Sequence, residues 1–381
     1  MVKNGFNSRA VHSGDLRIDG IGNVVTPIFE NSTFEFNGDG TSGKYIYSRW
    51  GNPTIESLEN KYASLEESKF AFAFSSGMSA ITSVIMGLLK KGDKLLSINE
   101  LYGQTFTFFA ETLPLYGIDV DFISVTNLND LKIDKRKYKA LYIESITNPL
   151  LEVPDIEKIS KYCKENNIIL IVDATFTTPY NQNPLSLGAD IVVHSGTKYL
   201  SGHTDLLIGL SGSNKYYDEI NKSRKTFGGI PDAFQAYLVY RGMKTLGLRM
   251  KQHNQNGKAV AEILNDSQKI EEVYYPGLEN SYFHNIAKRN LKGYGGMVSF
   301  KVRGGIEKSH KLINNMEIPL YAVSLGGVES LISIPVEGTH KALSKAEREE
   351  SGITDNLIRL SLGIEDTEDL VQDVSSALEK L

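Results

Sequence analysis

Short apolar runs alternate with helix-length amphipathic stretches along most of the first 245 residues. The runs are five or six residues long and are bounded by polar or turn-forming residues, which is typical of strands. The predicted strands are Phe70–Phe74, Lys94–Ile98, Val120–Val125, Ala140–Glu144, Ile168–Asp173 and Asp190–His194. The predicted helices are Thr54–Glu67, Gly77–Leu89, Gln104–Tyr116 and Asp155–Asn166. This alternation predicts an α/β domain with a mostly parallel sheet covered by helices on both faces.

The two ends of the chain show different patterns. The first 50 residues lack helical periodicity and are rich in Gly, Asn, Ser and Thr, which indicates an extended arm. From Phe234 a long helical pattern runs through Leu246 to Ile263, and Gly296–Val302 then alternates like an antiparallel strand. We therefore predict an arm over residues 1–50, an α/β domain over 51–245 and a smaller α+β domain over 246–381. A neighbouring subunit is one candidate to hold the arm.

Composition narrows the class of protein. The chain has 41 Lys and Arg against 46 Asp and Glu, a net charge of −5 that does not suit a nucleic-acid binder. The lone Cys163 excludes a disulfide within one chain and thiolate metal clusters, and no metal site is predicted. No signal peptide is evident and no apolar run reaches the ~18 residues of a membrane span, so a cytoplasmic protein is expected.

One glycine pattern resembles a dinucleotide-binding motif but lacks the structural context that this motif requires. Gly38, Gly40 and Gly43 have the spacing of a dinucleotide-binding fingerprint. That motif works only between a strand and a helix N-terminus, which binds the pyrophosphate. No helix start follows Gly43, so a nicotinamide or flavin site is not predicted.

Two polar residues follow neighbouring predicted strands. Asp173 ends one apolar strand, and Lys198 follows the next within a loop of small residues. Each has an ordinary structural explanation by itself, as a cap or as a solvated lysine. Together they are what pyridoxal phosphate chemistry requires, because a lysine forms the Schiff base and a carboxylate keeps the pyridine nitrogen protonated. Ser195 and Thr197 offer hydroxyls for a phosphate.

A possible phosphate site also precedes the helix that begins at Gly77. Ser75 or Ser76 is in position to be an N-cap, and backbone amides at a helix N-terminus bind phosphate. An ordinary cap explains the same residues.

Ordered motifs extend along the whole chain. They are Val25–Phe29, Tyr47–Thr54, Ser76–Met78, Leu101–Gly103, Glu144–Pro149, Asp173–Phe176, His194–Tyr199, Tyr237–Leu246, Ser324–Leu331, Thr339–His340 and Leu357–Glu365. With these motifs the chain resembles the pyridoxal-phosphate enzymes of cysteine and methionine metabolism, such as cystathionine γ-synthase, cystathionine γ-lyase and methionine γ-lyase. The resemblance implies fold type I, the aspartate aminotransferase-like architecture, with pyridoxal 5′-phosphate as cofactor. It also implies a dimer of dimers with shared active sites.

The resemblance implies roles for matching positions. Lys198 would be the Schiff-base lysine and proton shuttle, Asp173 would pair with the pyridine nitrogen, and Tyr102 would stack on the cofactor ring. Residues implied to bind the phosphate are Gly77, Met78, Ser195 and Thr197, with Tyr47 and Arg49 from the neighbouring subunit.

The same comparison implies a substrate side. Arg359 would hold the substrate carboxylate, and Asn148 and Ser324 would help orient cofactor and substrate, although Ser324 could simply cap a turn. Tyr102 or Tyr47 would act as the acid that assists departure of the γ-substituent.

The implied reaction is γ-elimination or γ-replacement on sulfur amino acids or activated homoserine, of the cystathionine γ-lyase or γ-synthase type. Methionine γ-lyase is an alternative, and cystathionine β-lyase and O-acetylhomoserine sulfhydrylase are others. Val323 stands where cystathionine-handling relatives often carry an acidic residue, which resembles methionine γ-lyases. Gln104, however, replaces the cysteine typical of those enzymes. A catalytically silent relative is the competing class, and the presence of Lys198, Asp173 and Arg359 argues against it.

Overall fold

The computed structural model describes residues 5–133, 138–338 and 352–381 and contains two β-sheets. The strands of the first sheet are β1 Phe70–Phe74, β2 Lys94–Ile98, β3 Asp119–Ile123, β4 Ala140–Glu144, β5 Ile169–Asp173, β6 Ile191–Ser195 and β7 Gly209–Ser213. Their order across the sheet is β1-β7-β6-β5-β4-β2-β3. Strand β7 is antiparallel to both neighbours, and the other pairs are parallel. The predicted α/β domain with a mostly parallel sheet is confirmed.

Helices surround this sheet. They are α1 Phe6–His12, α2 Pro53–Glu66, α3 Gly77–Leu88, α4 Gly103–Thr107, α5 Val125–Asn129, α6 Ile156–Glu165, α7 Thr178–Asn181, α8 Tyr217–Phe227, α9 Ala233–Met243 and α10 Leu246–Asp266. Local sequence fixes where α2 begins, because the Asn52 side chain accepts hydrogen bonds from two first-turn amides and Pro53 occupies the first helical position.

The second sheet follows in the C-terminal part. Its strands are β8 Ile270–Tyr274, β9 Met297–Val302, β10 Leu320–Tyr321, β11 Leu331–Ser333 and β12 Leu357–Ser361, accompanied by helices α11 His284–Asn290, α12 Ile306–Asn315 and α13 Thr367–Glu379. The strand order is β10-β11-β12-β9-β8. Only β10 and β11 are parallel among these pairs. The antiparallel α+β character expected here is therefore present.

Several element predictions were wrong in detail. The helix predicted over Gln104–Tyr116 is divided into α4, a π-helical turn at Phe108–Thr112 and a 3₁₀ turn at Leu113–Tyr116. Pro114 explains the last break, because it has no N–H for a continued helix. The strand predicted to end at Val125 stops at Ile123, and Val125 begins α5 under the Ser124 cap.

Two elements were missed. Helix α1 lies within the stretch predicted to be extended, and its Ala10 is fully buried. Strand β7 has the sequence Gly-Leu-Ser-Gly-Ser, whose low β-propensity concealed it. Glycine is required at its start, because a Cβ on Gly209 would lie 2.1 Å from the Ser76 carbonyl oxygen. Close approach of the two backbones selects the small residue there.

The long helical pattern after Phe234 is two helices, α9 and α10, with the break at Lys244 and Thr245. Helix α10 contributes Leu246 and Met250 to the apolar core around the first sheet. It then contributes Val260 to the separate core around the second sheet. The division into three parts at residues 50 and 245 stays a prediction, and α10 connects the two cores physically. Within the described residues, no helix is long and apolar enough to cross a bilayer.

Candidate active site

A cavity of about 290 Å³ opens beyond the carboxyl ends of β4, β5 and β6. This edge is where open α/β sheets bind ligands. Eleven of the thirteen site residues predicted from sequence line the cavity. They are Gly77, Met78, Tyr102, Asn148, Asp173, Ser195, Thr197, Lys198, Val323, Ser324 and Arg359. Folding therefore brings together side chains that are far apart in the sequence.

Lys198 lies in the loop after β6, and its Nζ donates a hydrogen bond to Ser324 Oγ at 2.8 Å. Burial, and next the positive charge of Arg359, lower the pKa of Lys198 to about 8. A substantial fraction of the free amine is consequently neutral near pH 8 and can act as a nucleophile or a base. Ser324 holds φ at 95°, a conformation that is costly for a residue with a side chain.

Asp173 ends β5 with both carboxylate oxygens engaged. Its Oδ1 accepts from the Thr175 amide at 2.9 Å and hydroxyl at 2.5 Å, and its Oδ2 accepts from the Tyr142 hydroxyl at 3.2 Å. Burial, and next the charge of Asp173, raise the pKa of Tyr142. Tyr142 therefore stays a neutral donor that orients the carboxylate.

The start of α3 forms one end of the cavity. The Ser76 hydroxyl accepts from the Ser79 amide. The amides of Gly77 and Met78, which also line the cavity, belong to the first turn and therefore have no intrahelical partner. A Cβ on Gly77 would lie 2.9 Å from Ser195 Cβ, so only glycine lets the helix approach the end of β6 this closely. First-turn amides without an intrahelical partner, at the N-terminus of a twelve-residue helix, suit an anion.

Ser195 and Thr197 make different hydrogen bonds at this end of the cavity. Thr197 Oγ1 accepts from the Ile208 amide at 3.0 Å and lies 3.3 Å from the Ile208 carbonyl, to which it donates. The Ser195 amide donates to Thr175 Oγ1 at 2.8 Å. The Thr175 hydroxyl thus hydrogen-bonds both the Ser195 backbone, next to the start of α3, and the Asp173 carboxylate.

Arg359 occupies the opposite wall and comes from β12 of the second sheet. It is 3% exposed, and it donates to Asn148 Oδ1 at 3.0 Å and to the Ser324 carbonyl at 3.2 Å. Burial lowers the pKa of Arg359 to about 10, which leaves it charged at neutral pH. Two contacts use only part of its five N–H donors, so others can bind a carboxylate.

Tyr47 and Arg49 do not line the cavity. Tyr47 is exposed and meets Trp50 edge-to-face, with ring centroids 6.1 Å apart. The Arg49 guanidinium carbon lies 5.6 Å from the Tyr47 ring centroid, and its Nη1 donates to the Lys225 carbonyl at 2.7 Å. Both residues lie on the surface of their own chain, and their predicted contact with a neighbouring subunit stays a prediction.

Sequence reasoning missed other residues of the cavity wall. Glu144, Thr175, Phe176 and Leu207 also line it. The first three lie inside recognised motifs, so closer attention to each motif residue could have included them. Leu207 carries no motif signal, and only the fold places it there.

The Thr339–His340 motif lies outside the described residues.

The whole chain matches a known family. The family model described as Cys/Met metabolism PLP-dependent enzyme covers residues 7–379. The chain belongs to this family. An L-methionine gamma-lyase of Fusobacterium nucleatum subsp. polymorphum is 44% identical over 100% of this chain and 99% of its own. A cystathionine beta-lyase of Lactococcus lactis subsp. cremoris is 44% identical over 98% of this chain and 99% of its own.

A solved structure agrees with this assignment. Cystathionine gamma synthase from Xanthomonas oryzae pv. oryzae, in complex with cystathionine, superimposes with a TM-score of 0.96 at 34% identity over 100% of this chain and 99% of its own. The chain is therefore a fold type I, pyridoxal-phosphate-dependent enzyme of cysteine and methionine metabolism. Its relatives include lyases and a synthase that are named for methionine or cystathionine.

The residues in the cavity fit pyridoxal phosphate. Unpaired amides of Gly77 and Met78 suit its phosphate, and the oriented Asp173 carboxylate can accept from a protonated ring nitrogen. Lys198 offers a half-buried amine of lowered pKa for its aldehyde. When bound, the cofactor supplies an electron sink that acidifies the α-proton of an amino acid.

Proposed function

We propose that this enzyme eliminates the γ-substituent of sulfur amino acids, and that it accepts apolar γ-thioethers such as L-methionine. The overall reaction consumes methionine and water and releases methanethiol, 2-oxobutanoate and ammonia. The support comes from the family and from the chemistry of the cavity wall.

The observation that carries the substrate proposal is the state of the acidic residues in the cavity. Among the described residues, only Glu144 and Asp173 are acidic and line it. Each already accepts hydrogen bonds from protein groups, Glu144 from the Tyr102 amide at 2.7 Å and Asp173 from Thr175 and Tyr142. Asp173 is in addition the proposed partner of the cofactor's ring nitrogen, and Glu144 is buried at the end of β4, so neither is placed to receive the distal ammonium of cystathionine. Apolar Val323 and Leu207 line the mouth and are 58% and 62% exposed, which suits a methylthio group.

Each of three protein groups has a separate role in the proposed reaction. Arg359, held by Asn148, binds the substrate carboxylate through its remaining N–H groups. The amine of Lys198 removes the α-proton and returns protons to later positions, while the Ser324 hydroxyl keeps its Nζ in place. The Tyr102 hydroxyl is the proposed acid for the departing sulfur, because Tyr102 is the tyrosine of this chain that lines the cavity.

A second candidate is turnover of cystathionine, by γ-elimination, γ-replacement or β-elimination. It is favoured by the similarity to a cystathionine beta-lyase and to a cystathionine gamma synthase. In this case the distal end of the substrate would be recognised by groups other than the acidic residues of the cavity.

Product analysis separates these candidates. Purified holoenzyme is given L-methionine, L-cystathionine, or O-succinylhomoserine with cysteine, and kcat/KM is measured for each. Methanethiol with 2-oxobutanoate from methionine at the highest kcat/KM supports the proposal. Pyruvate with homocysteine from cystathionine indicates β-elimination, and no spectral change of the cofactor with any substrate indicates a silent relative.

We also propose that two copies of the chain complete each other's sites. The arm exposes apolar side chains that a monomer would have to keep in water, including Ile21, Val24 and Phe36, which are 68%, 76% and 54% exposed. Tyr47 and Arg49 lie on the same arm and outside their own cavity. A neighbouring copy would bury the apolar surface and receive Arg49 at its phosphate.

A further inference from the structure

Glu144 is a buried carboxyl group to which the proposed reaction assigns no role. It ends β4, lines the cavity and is 6% exposed. In the register of the parallel strands it lies directly opposite Asp173. Two acidic side chains on neighbouring strands, Glu144 buried and Asp173 half-buried, oppose each other electrostatically, so this position is costly for the fold.

The contacts of Glu144 indicate what offsets that cost. Its Oε1 accepts from the Tyr102 amide at 2.7 Å, across 42 residues of sequence. The Asn148 backbone amide favours the charged form of the same carboxyl group. Glu144 therefore holds the backbone of one loop by a hydrogen bond and interacts electrostatically with the amide of a second loop.

Each of these loops carries a residue of the cavity wall. The first presents the Tyr102 ring at the N-terminus of α4. The second presents the Asn148 amide oxygen that holds Arg359. Displacement of either backbone segment would move its side chain, because both amides belong to the residues that line the cavity.

We propose that Glu144 is a positioning residue that fixes the Tyr102 ring against the cofactor. Burial, and next the charge of Asp173, raise the pKa of the Glu144 carboxyl group, while the nearby Tyr102 and Asn148 amides oppose that rise. An apolar residue of similar size would avoid this conflict but could not accept the hydrogen bond from the Tyr102 amide.

The test uses Glu144→Gln in the full-length enzyme. The glutamine has nearly the same shape, but it carries no charge and replaces one acceptor oxygen by an NH₂ donor, which weakens acceptance from the Tyr102 amide. We expect the dissociation constant for pyridoxal phosphate to rise by about 5-fold or more, the scale by which a hydrogen bond to a charged group exceeds a neutral one. We also expect the visible circular dichroism of the bound cofactor to decrease, since that signal depends on the orientation of the ring within its site.

The matched control is Asp190→Asn at the opposite end of the same sheet. Asp190 Oδ2 accepts from the Leu170 amide at 3.0 Å, and Asp190 does not line the cavity. Loss of this carboxylate should lower thermal stability and leave cofactor affinity and circular dichroism unchanged. A Glu144→Gln enzyme that shows only the stability loss of the control would overturn the proposal.

The inference rests on the proposed contact of Tyr102 with the cofactor ring, and a double-mutant cycle separates the two. Tyr102→Ala removes the ring and keeps the amide that Glu144 binds, so adding Glu144→Gln should weaken cofactor binding much less than it does alone. Additive effects would contradict positioning through Tyr102. Unchanged cofactor binding in Tyr102→Ala itself would instead refute the role of Tyr102, and with it this route of action for Glu144.

Discussion

Lys198 lies in an environment that favours its neutral form. The low dielectric of the cavity wall and the nearby Arg359 charge both disfavour an ammonium group, and together they lower the pKa of Lys198 to about 8. The hydrogen bond to Ser324 at 2.8 Å limits where Nζ can move. The reactivity of the Lys198 amine is therefore set by its burial and by the positive charge of Arg359, since an exposed lysine would stay protonated at the same pH.

This environment sets a pH dependence for cofactor attachment. In the apoenzyme, only the unprotonated amine of Lys198 has the lone pair to attack the aldehyde. Below its pKa of about 8, the rate of covalent attachment should therefore rise about tenfold per pH unit, and above it the rate should level off. Stopped-flow absorbance after mixing apoenzyme with pyridoxal phosphate measures this rate.

The control for that experiment is Lys198→Ala, which should show no covalent phase and no attachment after borohydride reduction. Its turnover should fall by at least about 1,000-fold, because nucleophile and proton carrier are lost together. Reduction that labels another lysine in the wild type, or a rate independent of pH between about 6.5 and 9, would contradict the assignment.

Val323 is the residue whose change should redirect substrate choice. It is 58% exposed at the cavity, close to Ser324 and Arg359 in the same lining. Val323→Glu supplies a carboxylate for the distal ammonium of cystathionine and an unfavourable neighbour for a methylthio group. The ratio of kcat/KM for cystathionine over methionine should rise by roughly 10-fold or more, about 1.4 kcal/mol.

Val323→Gln is the matched variant, with nearly the same shape and no charge. It should leave the ratio within about threefold of wild type, since an exposed neutral contact is worth little. An equal rise in both variants would mean that polarity, and not charge, determines the preference. An unchanged ratio in Val323→Glu would direct attention to Gln104 or the arm.

At the scale of elements, the N-terminus of α3 depends on close packing. Gly77 and Ser195 approach until no Cβ fits, and Gly209 in β7 leaves room for the Ser76 carbonyl in the same way. Small residues in α3 and β7 thereby bring first-turn amides to the carboxyl end of the sheet. The position of this helix, more than its side chains, creates the proposed phosphate site.

Gly77→Ala should weaken this site selectively. The added Cβ would lie 2.9 Å from Ser195 Cβ and 3.1 Å from its Cα, so the first turn of α3 must move. We expect cofactor affinity to fall by about 10-fold or more, the scale of one lost charge-assisted hydrogen bond. Titration of apoenzyme with pyridoxal phosphate measures it.

Gly87→Ala near the other end of α3 serves as the comparison. Its Cβ would lie 2.8 Å from the Glu219 carbonyl oxygen in α8, a similar conflict away from the cavity. Thermal stability should fall in both variants, and cofactor affinity only in Gly77→Ala. Equal affinity losses would indicate that general loosening of α3 is responsible.

At the scale of the whole molecule, the site is assembled from both sheets. Asp173 and Ser195 come from the first sheet and Arg359 from the second. Helix α10 contributes to both cores, so it fixes one sheet against the other.

The arm is anchored at its start. Buried Lys61 in α2 donates to the Ala10 carbonyl at 2.6 Å, while the arm beyond α1 exposes apolar surface.

Mixing inactive variants tests whether sites are shared. Arg49→Ala and Lys198→Ala protomers, unfolded together and refolded, should recover about a quarter of wild-type activity if each site takes these residues from different chains. Half of the dimers formed at random are mixed, and one of their two sites is intact. Recovery near zero would mean that Arg49 acts within its own chain, and refolded single variants provide the baseline.

Local patterns in the sequence predicted the framework of the first sheet. The strand positions followed from five-residue apolar runs, and the polar residues at their ends followed from the chemistry of parallel sheets. Asp173 and Lys198 could be paired on that basis, and the family resemblance extended the set to Arg359. Elements that depend on packing were missed, because β7 is built from residues of low strand propensity and α1 is too short for a periodic signal.

By itself the sequence determined the strand–helix order, the residue types available for chemistry and the family, since each depends on local composition or on ordered motifs. Tertiary structure alone decided which groups touch. It brought Arg359 to Asn148 across 211 residues and Lys198 to Ser324 across 126. It also engaged both acidic groups of the cavity, Glu144 with the Tyr102 amide and Asp173 with Thr175 and Tyr142. Burial and neighbouring charge then set the pKa of Lys198, and these depend on distances in space that no local pattern encodes.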